Sequence, residues 1–125
     1  MNIVKQIKHW KKSALSDLET AEILIDKKKF LHGLFFCHLA IEKILKAHFV
    51  KIAKTIPPKT HDLIYLLKKI DISLEEKFEF HLAILMKYQL ESRYPENLIS
   101  SPSKVESEKY LSTTRELLNW LIIEL

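Results

Sequence analysis

Between Phe30 and Ile41 the sequence reads FLHGLFFCHLAI, and almost every side chain in it is apolar. A helix apolar on all sides has to be enclosed by other helices, because on a surface it would leave one apolar face in water. The stretch therefore predicts the central helix of a bundle, running from Phe30 to Lys54. Beyond Ile41 the apolar positions thin to Ile44, Leu45, Phe49 and Ile52 at helical spacing, while Glu42, Lys43, Lys46 and Lys51 supply a polar side. One end of the helix is thus buried and the other offers a charged face. The only glycine of the chain, Gly33, lies inside this helix, where it costs about 1 kcal/mol relative to alanine. Close approach by a neighbouring helix is the expected reason for it.

The flanking sequence supplies the enclosing helices. From Val4 to Asp26, Ile7, Trp10, Ala14, Leu18, Ala21 and Ile25 recur at spacings of three and four, the mark of an amphipathic helix. Lys27, Lys28 and Lys29 then form a turn short enough to set this helix antiparallel to the central one. Pro57 and Pro58 forbid helix continuation. Thr60 is the expected N-cap of a short helix from His61 to about Ile70, with Asp62 in its first turn. Ser73 and Glu76 have the spacing of a capping box, opening a helix expected to reach Leu90, and Ser103 and Glu106 repeat it before the last helix. There Leu111, Thr114, Leu118, Leu121 and Leu125 line one face. The expected fold is all-α, one domain over residues 1–125, an up-and-down bundle of four long helices plus one short helix.

At 125 residues the chain can bury about two-thirds of its unfolded surface without a metal or a disulfide. One cysteine, Cys37, allows no internal disulfide. With no signal-peptide pattern and no long uncharged apolar run, the expected location is cytoplasmic, with no membrane contact. The net charge is +4, carried by lysines and only two arginines, Arg93 and Arg115. Lysine is a hydrated point charge rather than the arginine fork that reads bases and phosphates, so weak RNA attraction is expected and sequence reading is not. A single glycine excludes glycine-rich phosphate loops and nucleophile elbows. The histidines at 9, 32, 38, 48, 61 and 81 include no pair three or four apart, so no metal site and no cofactor is expected. His38, beside Cys37, reads as a core histidine with a hydrogen-bond partner.

Three polar constellations remain. Glu42, Lys43 and Lys46 share a helix face, with Glu42 and Lys46 at the i, i+4 spacing of a salt bridge. Lys59, Thr60, His61 and Asp62 stand at a helix start, where free N–H groups either receive an anion or are capped. Arg93, Tyr94 and Pro95 place an arginine beside an aromatic ring, suited to phosphate and base contact or to a carboxylate tether.

At these residues the chain resembles the HEPN domain family. The resemblance is carried by Trp10, Ala14, Asp17 and Leu18, by HLAIEKILKA from His38 to Ala47, by KTHDL from Lys59 to Leu63, and by RYP from Arg93 to Pro95. It implies a homodimeric helical bundle, often encoded beside a minimal nucleotidyltransferase in a toxin–antitoxin or defence module. Many members are metal-independent ribonucleases marked by an arginine followed four to six residues later by histidine. Neither Arg93 nor Arg115 has that histidine, so the resemblance points to the branch without it, for which nucleotide or partner binding is the usual proposal.

The expected function is accordingly a non-catalytic binding protein with no catalytic residue. Lys43, Lys46, Lys59, His61, Asp62, Arg93 and Tyr94 are its candidate contacts to a nucleotide ligand or a nucleotidyltransferase partner protein. Two alternatives stand beside it: a ribonuclease toxin with a non-standard site in which His61 is the base, and a plain dimeric helical adaptor.

Overall fold

The computed structural model describes residues 1–91 and 99–125. Its helices in chain order are α1 (Ile3–Asp26), α2 (Phe30–Ala53), α3 (Leu63–Lys68), α4 (Glu76–Met86) and α5 (Lys104–Glu124). No strand occurs among the described residues. α2 packs against all four other helices, the enclosure its apolar first half demands. Leu34, Ile41, Ile44 and Leu45 of α2 are fully buried with Leu63, Leu66, Leu82, Leu85, Leu117, Leu118 and Leu121 from α3, α4 and α5.

α1 and α2 form an antiparallel hairpin across the Lys27–Lys29 turn, where Lys28 takes a left-handed conformation with φ of 63°. Gly33 sits where α2 passes close to α1 in that hairpin. A Cβ placed on it would lie 2.5 Å from Ile25 Cγ1 and 3.2 Å from Ile25 Cδ1. Alanine would gain about 1 kcal/mol of helix propensity there, whereas overpacking costs about 1–3 kcal/mol. Ile25 is itself buried, so the packing loss wins. Gly33→Ala is expected to lower the melting temperature; an increase would show that Ile25 re-packs without strain.

Several local expectations are corrected. Asp62, not Thr60, caps α3: its Oδ1 accepts from Ile64 N and Tyr65 N, both at 3.0 Å. Thr60 Oγ1 instead accepts from Asp62 N at 3.1 Å, forming the local turn that serine and threonine favour. The helix therefore begins at Leu63 and ends at Lys68, leaving His61 outside it. The Ser73–Glu76 capping box does not form, because α4 starts at Glu76 with Glu75 as its N-cap and no side-chain cap bond. Glu75, with φ of −59° and ψ of 149°, still lies outside the helix, so the start falls three residues past Ser73. α4 also stops at Met86 rather than near Leu90. The Ser103–Glu106 box does form, with Glu106 N donating to Ser103 Oγ at 3.1 Å and Ser103 N to Glu106 Oε1 at 3.4 Å.

Candidate functional site

Glu42 is the only acidic residue of α2, and it lies at the level where α2 passes the extended segment before α3. It is 4% exposed. A buried carboxylate is tolerated only when paired and hydrogen-bonded, and Glu42 is both. Lys46 Nζ, one turn along α2 and 7% exposed, donates to its Oε2 at 3.0 Å. On the other oxygen, His61 Nδ1 donates to Oε1 at 2.9 Å. His38, one turn back along α2, donates from Nε2 to the His61 carbonyl at 3.0 Å and holds Nδ1 3.7 Å from Glu42 Oε1. Lying outside α3, His61 reaches Glu42 with its side chain and His38 with its carbonyl.

The cluster also ties in other elements. Lys46 Nζ stands 5.6 Å from the centre of the Trp10 ring of α1, a cation–π contact that holds the ammonium from its second side. Lys43 Nζ leaves the cluster for α1, pairing with Asp17 Oδ2 at 2.7 Å. Glu91 Oε2 comes within 3.8 Å of His61 Nε2. Burial pushes the His38 pKa below its ordinary value, against the opposing pull of Glu42, so the ring is neutral near pH 7 and carries the single hydrogen its Nε2 bond requires.

The seven candidate residues are distributed as follows. Lys46 and His61 meet on Glu42, which joins two of the three constellations. Lys43 is engaged with Asp17, Lys59 is exposed, and Asp62 caps α3. Two of the amides at that helix start, Ile64 N and Tyr65 N, are taken by the Asp62 carboxylate, the capping alternative of the two the sequence left open. Arg93 and Tyr94 lie outside the described residues. Glu91, two positions before Arg93, touches the cluster through His61. Sequence reasoning recognised Glu42 only as the salt-bridge mate of Lys46, whereas it is the hub. Its isolation as the one carboxylate in an apolar and basic helix was the available signal. Asp17, the mate of Lys43, carried no signal in the spacing of α1.

Chemically, the described part of the site is a set of closed ion pairs with one half-exposed imidazole, the His61 side chain being 42% accessible. A phosphate approaching Lys43 or Lys46 would meet an ammonium whose charge a carboxylate already offsets, though each keeps further N–H donors. No group of His, Cys, Asp or Glu side chains among the described residues is arranged to hold a metal ion. Nor is any helix among them long and apolar enough to cross a membrane.

These features define a small all-helical domain whose central helix is knitted to the chain before α3 by one buried carboxylate. More narrowly, the chain belongs to the HEPN domain family, whose match spans residues 7–124, and a HEPN-type function follows. The crystal structure of TT1696 from Thermus thermophilus is similar in fold, with a TM-score of 0.81 at 22% identity over 100% of both chains. No curated protein matches the chain.

Proposed function

We propose that this chain is a non-catalytic HEPN binding module that works as a homodimer and engages a protein partner, a minimal nucleotidyltransferase of the same toxin–antitoxin or defence module. The observation that carries the reading is the pairing of the two α2 lysines nearest His61, Lys43 with Asp17 and Lys46 with Glu42. Lysines whose charge a carboxylate already offsets attract a triphosphate less strongly than free ones would. A protein surface is suited to a near-neutral mosaic, here exposed Lys59 and Tyr65 around half-exposed His61. Arg93 and Tyr94 complete the proposed contact.

The test is co-purification with the nucleotidyltransferase, alongside calorimetric titration with ATP at about physiological ionic strength, where lysine attraction beyond roughly 8 Å is screened. The expected result is a stable complex weakened about tenfold or more by Lys59→Glu and Arg93→Ala, with no saturable ATP heat. Saturable ATP binding lost in Lys46→Ala would transfer the function to a nucleotide. Failure of both, with substitutions lowering only the melting temperature, would leave the plain adaptor.

One observation favours a catalytic reading as second. Glu42 holds His61 by Nδ1 and turns Nε2 outward, as a carboxylate orients a general base. RNA cleavage by the purified protein that survives EDTA and disappears in both His61→Ala and Arg93→Ala would establish the ribonuclease and overturn the non-catalytic reading.

A further inference from the structure

Between α3 and α4 the surface opens into a groove of about 760 Å³, floored by Ile64, Leu67 and Leu82 and edged by Lys68, Glu79 and Phe80. Phe80 is 68% exposed, although its neighbours along α4, Phe78 and Leu82, are buried in the core. The surface therefore carries a protruding aromatic and an apolar hollow side by side. Its charges are unevenly divided as well: the α3 edge bears Lys68 and Lys69, and the α4 edge bears Glu75, Glu76 and Glu79 against a single lysine, Lys77, all exposed.

A patch that carries both the knob and the hole, and both signs of charge, is complementary to itself. That is the requirement for an isologous contact, in which the same surface of two copies meets across a two-fold axis. The direction of the axis follows from the charges. An axis across the groove would set Lys68 against Lys68 and Glu79 against Glu79. An axis along the groove lays α3 of each copy over α4 of the other and preserves the level of each residue. Lys68 and Glu79 stand at one level, since both line the groove and also the smaller hollow beside it. Each Lys68 then faces the other copy's Glu79, so opposite charges meet twice. Phe80, next in sequence to Glu79, is carried over Ile64 and Leu67 of the facing α3.

From this we infer that the α3–α4 groove is the homodimer interface, occupied by a second copy of this chain related by a two-fold axis along the groove. The inference rests on the homodimer reading above and adds the surface and the axis. It also places the dimer contact apart from Glu42 and His61, leaving that cluster open to another partner in each copy.

The test is the molar mass of the full chain by light scattering at about physiological ionic strength, with circular dichroism to confirm that each variant is folded. The wild type is expected to be a dimer and Phe80→Ser a folded monomer at the same concentration. Lys68→Glu and Glu79→Lys are each expected to weaken the dimer about tenfold, while the double variant Lys68→Glu/Glu79→Lys, which restores opposite charges across the axis, recovers it. A wild-type dimer unaffected by all four variants would overturn the interface and leave the homodimer standing. A monomeric wild type would overturn both. If that monomer bound the nucleotidyltransferase and Phe80→Ser abolished the binding, the groove would belong to the hetero-partner instead.

Discussion

Replacing Glu42 by alanine is expected to remove about 3 kcal/mol of stability, on the order of 10 °C in melting temperature for a chain of this size. The loss comes less from the hydrogen bonds themselves than from what is left behind. Lys46 would remain as a buried ammonium facing only the Trp10 ring, and a buried charge without its partner costs more than the pair contributed. His61 would lose the acceptor of its Nδ1, loosening the segment whose carbonyl holds His38. The figure lies at the low end for buried pairs because the flexible Lys46 stem can carry its head toward water.

The same reasoning fixes the sign of a double substitution. Glu42→Leu with Lys46→Met removes both charges and keeps apolar bulk, so it is expected to be clearly more stable than Glu42→Ala alone. Urea titrations of the single and double variants measure the difference. Equal destabilisation by Glu42→Ala and Glu42→Leu/Lys46→Met would mean that the stranded ammonium is not what costs energy. The distinction bears on function, because a cluster worth this much to folding changes melting temperature and binding together. Lys59→Glu, on an exposed residue with no place in the cluster, is the cleaner probe of binding.

The bundle was legible in the sequence because its signal was long-range and redundant. The Phe30–Ile41 run demanded enclosure, and the three- and four-residue spacings in α1 and α5 supplied what encloses it. Gly33 was legible as well, its close neighbour being Ile25. Local capping was less reliable, since only one of the two Ser–Glu spacings became a capping box. The Ser73–Glu76 spacing was bypassed by a helix that starts at Glu76, whereas Ser103–Glu106 formed as expected. At the site, the i, i+4 pair Glu42–Lys46 could be read from spacing, but His61 joins Glu42 across nineteen positions from a segment outside the helices. That contact depends on where Pro57 and Pro58 send the chain, and no periodicity encodes it.

Acidification is expected to destabilise the protein well before its surface carboxylates account for the loss, through histidines held neutral inside the bundle. His81 is 2% exposed and donates from Nε2 to Thr114 Oγ1 at 2.8 Å, while the Thr114 hydroxyl donates to the Tyr110 carbonyl at 2.8 Å. Burial drives its pKa from 6.5 to about 4. His48, bonded to the Leu121 carbonyl at 2.8 Å, and His38 are also lowered by burial. A lowered histidine pKa means that the unfolded chain binds more protons than the folded one between the two values. The contribution to stability is therefore complete above pH 6.5 and is lost as pH falls toward 4. For His81 alone that loss amounts to ~3 kcal/mol, and His38 and His48 add to it in the same direction. Urea unfolding at pH 7, 6, 5 and 4 is expected to show a steep decline in the wild type and a shallower one in His81→Gln, which cannot acquire the proton. Parallel curves for the two proteins would place the acid sensitivity outside His81. Above pH 7 neither curve should change on this account, because the ring is neutral in both the folded and unfolded states.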